Sequence, residues 1–264
     1  MKSAIERRTC TAADGVEIVY SAAGSGEPAL VFVHGGLANR SFWDGELRTF
    51  APHHRVIAPD LPGHGESGIN RGKWGIPKFG ADICAVMKAE HASRVLLFGN
   101  SLGGPAAIEA ALLLPGSVLG VVGVDTFQSL TYTITAQEAQ KRAEAFRDDY
   151  AGSLRLMVRQ LFHSDADPAL IADAEQRMTR TSPAVAYSMF LSLAGYNPSE
   201  SACRLRVPLR AINGDLYPTD IVSVRKVKPD FDVMILKHVG HYPMLERPEE
   251  FDGLAMEIIE ALTK

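Results

Sequence analysis

Gly99-Asn100-Ser101-Leu102-Gly103 follows an apolar run, Val95-Leu96-Leu97-Phe98, and precedes an alanine-rich stretch with helical spacing. This order of residue types predicts a buried strand, a sharp turn and a helix, with Ser101 at the apex of the turn. A serine there is held in strained backbone geometry, and the positions two before and two after must lack bulk. Gly99 and Gly103 meet that demand. The strain lifts the hydroxyl clear of the sheet, and the Leu102 N–H points into the same space from the helix N-terminus. Such an arrangement suits nucleophilic attack by serine. By itself the motif is also compatible with an ordinary glycine-rich turn, so the rest of the chain must supply the partners.

Acyl transfer needs two backbone donors aimed at the developing oxyanion. The continuous apolar run 29–33 predicts a strand buried on both faces, and it ends in His34-Gly35-Gly36, a turn whose N–H groups can face a ligand. Gly36 and Leu102 are the candidate pair, although a plain tight turn would read the same way. Two histidines compete as the base. His64 lies in Asp60-Leu61-Pro62-Gly63-His64-Gly65-Glu66-Ser67, an irregular loop at the end of strand 55–58. A histidine in a glycine-rich turn commonly bonds its own loop, so His64 ranks below His241. His241 sits beside Gly240 after the last strand, 232–236, and ahead of a proline-started helix, 248–262. His238, nearer the strand, reads as structural. Neither the His238/His241 pair nor His53-His54 has a carboxylate at metal-ligand spacing, which argues against a metal site.

The elements that must position these groups are legible in order. Runs 5–11 and 16–22 flank Asp14-Gly15 and predict a hairpin. Helical spacing at 41–50, 79–90 and 105–114 alternates with strands through 119–124, and Pro115-Gly116 stops the third of those helices. That alternation predicts a mainly parallel sheet with right-handed crossovers. From Phe127 to Cys203 only helices are expected, at 135–150, 153–162, 168–179 and 183–194, before strand 207–212 resumes the sheet. So long an excursion reads as a helical cap. Phe127, Leu130, Phe162, Met189, Phe190 and Tyr196 are candidates to line a pocket beneath it, most of them also serving as cap core.

The strand ending in His34-Gly35-Gly36, the Asp60–Ser67 loop, Gly99-Asn100-Ser101-Leu102-Gly103-Gly104, Gly240-His241-Tyr242-Pro243 and the tail Leu245-Glu246-Arg247-Pro248-Glu249-Glu250-Phe251 occur in the order found in the α/β-hydrolase fold superfamily. Over essentially its full length the chain resembles a serine esterase- or lipase-like member with a helical cap. The resemblance implies an α/β fold with an eight-stranded, mostly parallel sheet, a core domain of residues 1–126 and 204–264, a cap of residues 127–203, and a triad in the order Ser…Asp…His. It implies that Ser101 attacks the carbonyl carbon and that His241 takes its proton and later passes it to the leaving group. Serine at the turn disfavours relatives that need a carboxylate nucleophile, such as haloalkane dehalogenases and epoxide hydrolases. The acid departs from the usual pattern. Its place after the seventh strand, counted from Gly214, holds Tyr217, with Asp215 two residues early and Asp220 three late. Asp125, ending the sixth strand, is the position some lipase-like members use, and it ranks first, ahead of Asp215 and then Asp220. Its alternative role is to cap the turn into the cap segment.

The chain has 264 residues, enough for one large α/β domain, and a formal net charge of -4, which gives no electrostatic reason to expect nucleic acid or anionic membrane. Its first residues show no apolar leader segment and no run is long enough to span a bilayer. Cys10, Cys84 and Cys203 are scattered and odd in number, as in a reduced, cytoplasmic protein. The expectation is therefore a cofactor-free serine hydrolase, monomer or homodimer, acting on a small to medium, fairly apolar carboxylic ester or related acyl compound. A carbon–carbon bond hydrolase acting on ring-cleavage products resembles the Gly-Asn-Ser-x-Gly-Gly form, but those relatives tend to carry other residues than Tyr242-Pro243-Met244-Leu245 after the last histidine. A ligand receptor that keeps the triad to bind a small molecule is the third reading.

Overall fold

A computed structural model describes residues 4–264. Met1-Lys2-Ser3, which open the stretch read as lacking a leader segment, lie outside the described residues. The chain opens with strands β1 (Glu6–Thr11) and β2 (Glu17–Ala23), paired antiparallel as the Asp14-Gly15 turn predicts. Strand β3 (Ala29–Val33), helix α1 (Asp44–Phe50), strand β4 (Val56–Pro59), helix α2 (Ile76–Ala89), strand β5 (Val95–Asn100), helix α3 (Gly103–Leu113) and strand β6 (Val118–Val124) follow. A short 3₁₀ turn, Arg40–Trp43, opens α1, because Asn39 caps it by accepting the Ser41 N–H.

Five helices then pass before the sheet resumes: α4 (Ala136–Asp148), α5 (Tyr150–Gln160), α6 (Pro168–Met178), α7 (Pro183–Ser192) and α8 (Pro198–Arg204). The first four match the expected helices to within a few residues. The fifth, α8, goes unnoticed in the sequence because it is only seven residues long. Their starts obey local chemistry. Thr135 and Glu138 form a reciprocal capping box at α4, and proline occupies the first turn of α6, α7 and α8. Strand β7 (Leu209–Asn213), helix α9 (Ile221–Val227), strand β8 (Asp232–Ile235) and helices α10 (Pro243–Glu246) and α11 (Pro248–Thr263) complete the chain.

The eight strands form one sheet in the order β1-β2-β4-β3-β5-β6-β7-β8. All neighbours from β4 to β8 pair in parallel, and β2 is antiparallel to both of its neighbours. Every residue of β3 and β5 is buried, as the unbroken apolar runs require of strands covered on both faces. Phe32 of β3 shows what fills the core: its ring lies 4.8 Å from Phe98, 5.1 Å from Trp43 and 5.9 Å from Phe50. Truncating such a ring to alanine costs about 3–5 kcal/mol. The sheet brings the C-terminal ends of β3, β5, β6 and β7 side by side, the edge where open α/β sheets place their ligand sites.

Candidate active site

The turn between β5 and α3 is as tight as the glycines imply. Ser101 has φ +50°, a left-handed conformation uncommon outside glycine. A Cβ at Gly99 would run into the Gly103 carbonyl, and one at Gly103 would come within 2.5 Å of the Val33 oxygen. Local strain of this kind costs on the order of 1–3 kcal/mol and persists only where the surroundings enforce it. Here the Ser101 N–H donates to the Val124 carbonyl at 3.3 Å and the Gly104 N–H to the Ser101 carbonyl at 3.0 Å.

Two further strained residues end neighbouring strands: Leu37, φ +62°, after β3, and Asp125, φ +42°, directly after β6. Asp125 is buried, and its two oxygens have separate partners. Oδ1 accepts the Gly214 N–H at 3.0 Å, and Oδ2 lies 2.6 Å from His241 Nδ1. A carboxylate can only accept, so this contact puts the imidazole proton on Nδ1 and leaves Nε2 with a free lone pair. The other two acid candidates are occupied elsewhere. Asp215 Oδ1 is 3.1 Å from His163 Nε2 and also accepts the Val239 N–H at 3.3 Å. Asp220 caps α9, taking the Ser223 N–H at 2.9 Å.

The loop carrying His241 is pinned by groups the sequence reading did not single out. One carboxylate, that of Glu246 on α10, accepts the N–H groups on either side of the histidine, Gly240 at 2.9 Å and Tyr242 at 3.1 Å. The His241 N–H itself donates to the Leu161 carbonyl at 2.8 Å. Asn100 Nδ2, one residue before the serine, donates at 2.9 Å to both the His241 and the Val124 carbonyls. Asn100 thus ties the serine turn, the end of β6 and the histidine loop together. Only its place inside the glycine-serine motif could have drawn attention to it. Glu246 is spaced four residues from Tyr242, and that was its only signal.

Ser101 and His241 open onto one cavity of about 420 Å³, whose wall also includes Gly36 and Leu102. The close approach of the β3 turn to the serine depends on a missing side chain, since a Cβ at Gly35 would meet Asn100 Oδ1 at 2.8 Å and Ser101 Cβ at 3.2 Å. Helices α5 and α7 contribute to its wall. Met189, Phe190 and Tyr196 line the cavity, as do Met157 and Leu161. Phe127, Leu130 and Phe162 do not line it. At φ +63° the Phe127 ring lies over Gly123 and Gly104, filling the space those glycines leave at the sheet edge. Leu130 is fully buried in the core, and Phe162 packs on Tyr242 with ring centroids 5.4 Å apart.

The remaining histidines lie outside this cavity. His64 is buried, its Nδ1 3.2 Å from the Pro62 carbonyl and its ring 5.0 Å from that of His34. Burial and the neighbouring His34 hold its pKa down to about 3, so it stays neutral. His34, pushed down to about 4 chiefly by burial, accepts the Leu61 N–H at Nε2 and thereby joins β3 to the glycine-rich loop. His238 is exposed, beside His163. Among the described residues no three His, Cys, Asp or Glu side chains cluster as metal ligands would.

Residues 30–253 match the model of the alpha/beta hydrolase family. The chain belongs to that family. Among curated relatives of this α/β hydrolase, a pimeloyl-[acyl-carrier protein] methyl ester esterase of Edwardsiella ictaluri is 26% identical, the match covering 92% of the chain and 97% of the relative. A 2-hydroxy-6-oxo-6-(2'-aminophenyl)hexa-2,4-dienoic acid hydrolase of Metapseudomonas resinovorans is 25% identical over 94% of the chain and 89% of the relative. The first relatives it matches, uncharacterised mycobacterial proteins, are 34% identical over 101 residues, and the match spans only 29% of their length. Among solved structures, a thermophilic esterase from Thermogutta terrifontis superposes with a TM-score of 0.87 at 21% identity, covering 98% of this chain and all of that one. The expected eight-stranded α/β-hydrolase architecture is thereby met. Among the described residues no helix of this hydrolase is long and apolar enough to cross a membrane.

Proposed function

We propose that this α/β hydrolase is a cytoplasmic serine esterase of the carboxylesterase type, cleaving a small to medium, largely apolar ester or related acyl compound through an acyl-enzyme on Ser101. His241 Nε2 takes the Ser101 proton as Oγ attacks the carbonyl carbon, and returns it to the leaving alkoxide. Asp125 fixes the tautomer and steadies the imidazolium as it forms. The Gly36 and Leu102 N–H groups receive the oxyanion, and water with His241 as base then releases the acid. In this reading residues 127–203 form a cap over a core of residues 1–126 and 204–264. The observation that carries it is the 2.6 Å contact between His241 Nδ1 and Asp125 Oδ2 beside the cavity that Ser101 enters.

The test is hydrolysis of a p-nitrophenyl ester series by the wild type beside Ser101→Ala, with circular dichroism to establish that both are folded. Turnover that disappears in the variant supports the reading. A folded wild type without turnover refutes it.

A second reading, hydrolysis of a carbon–carbon bond in a ring-cleavage product, draws on the Metapseudomonas relative and on the Gly99-Asn100-Ser101-Leu102-Gly103-Gly104 form. Turnover of a 2-hydroxy-6-oxo-dienoate with inert esters would select it.

A further inference from the structure

The cavity is mostly apolar, and among the described residues its wall holds a single Lys, Arg, Asp or Glu side chain, Arg142 of α4. Arg142 is exposed and makes neither an ion pair nor a hydrogen bond among the described residues. Glu138 lies near enough to feel its charge, but the hydrogen bonds of that carboxylate go to other groups. Glu138, one turn earlier, gives its carboxylate to the Thr135 N–H at 2.9 Å, the Thr135 hydroxyl at 2.8 Å and the Tyr132 hydroxyl at 3.1 Å. Asp148, further along the helix, pairs with Arg147 at 2.8 Å. A guanidinium is charged at any physiological pH, and its five donors lie in a planar fork that matches a carboxylate. Arg142 is exposed to solvent where it meets the cavity. A neutral chain filling the space beside it strips some of that water without replacing the lost hydrogen bonds, which is unfavourable. A substrate ending in an anion supplies them.

We infer that the preferred substrate carries a carboxylate, separated by an apolar spacer from the acyl carbon that Ser101 attacks, and that Arg142 is the residue selecting it. This rests on the esterase reading of the same site. A single cation suits a singly charged carboxylate better than a doubly charged phosphate ester. The spacer would run along Met189 and Phe190. Hydrolysis itself is unchanged by the added group: water attacks the acyl-enzyme, the acid is released, and the distal carboxylate keeps its charge throughout.

The test compares the monoethyl esters of succinic, glutaric and adipic acids with ethyl butyrate, pentanoate and hexanoate, in the wild type and in Arg142→Gln. The expected result is a higher kcat/KM of the wild type for at least one half-ester than for its neutral counterpart. Arg142→Gln should lower that value about tenfold, mainly through KM, and leave the neutral esters within about twofold. Equal effects on both series, or none on either, would overturn the inference while leaving the esterase reading intact. Absence of turnover on every ester would sink the esterase reading instead. Calorimetric binding of monoethyl glutarate to folded Ser101→Ala then decides the role of Arg142 without catalysis. Weaker binding when Arg142→Gln is added supports it, and no binding or unchanged binding refutes it.

Discussion

Asp125 Oδ2 approaches His241 Nδ1 to 2.6 Å although the two residues are 116 positions apart, and the aspartate adopts a left-handed backbone to do so. Asp215, two residues short of the usual place for the acid, holds His163 instead. On the proposed roles Asp125→Asn should lower kcat about 10⁴-fold with the fold intact, because an amide does not select the reactive tautomer. Asp215→Asn should stay within about tenfold of the wild type, since it weakens contacts to His163, the Val239 N–H and Lys237, none of which lines the cavity. Steady-state kinetics on one p-nitrophenyl ester, with melting curves for each variant, read both. The reverse ranking would move the acid to Asp215.

Glu246 should act as a positioning residue. Its carboxylate takes two backbone N–H groups that flank His241, so Glu246→Ala frees the loop without touching substrate. We expect kcat to fall about tenfold or more and KM to stay within about twofold, as when a catalytic group is displaced by a fraction of an ångström. Glu246→Gln keeps one acceptor oxygen and should recover part of the loss. A melting temperature that falls while kcat per folded molecule stays unchanged would limit Glu246 to a structural role.

These two acids also show where the sequence stopped being informative. The sheet, its parallel order and four of the helices between β6 and β7 follow from local pattern, since unbroken apolar runs, capping residues and glycine-serine turns act over a few positions. Ser101 and His241 were visible for the same reason. Choosing among Asp125, Asp215 and Asp220 needed the relative placement of strand ends, which local pattern does not encode. Phe127 and Phe162 lie outside the cavity wall, which the sequence did not reveal because apolar side chains look alike in it, whichever side of a packed layer they face. Arg142 was invisible, one of two arginines on a polar helix, until the cavity showed what it faces.

Met189 and Phe190 lie on the cavity wall, and Met189 Cε would sit 3.4 Å from a Cβ at Gly36. Met189→Ala and Phe190→Ala enlarge the space beside the acyl group, so kcat/KM should rise for longer acyl chains relative to acetate. A shift in preference of about three- to tenfold is expected from the volume of one or two methylenes. An unchanged profile across acetate to octanoate esters would make these side chains packing residues only.

Glu46, buried between α1 and α11, has no hydrogen-bond partner for either carboxylate oxygen, and Asp252 lies near it. Burial, with Asp252 adding repulsion, pushes its pKa from 4.5 up to about 8. In the unfolded chain the group loses its proton in the ordinary carboxylate range, whereas the folded protein keeps it until about pH 8. Across that window the folded state binds more protons than the unfolded one, so stability falls as pH rises and levels off above the folded value. Glu46→Gln removes this titration. Its melting temperature should match the wild type near pH 5 and exceed it increasingly towards pH 8, by an amount equivalent to a few kcal/mol at most. Parallel curves for the two proteins over that range would mean that Glu46 finds a partner for its charge in solution.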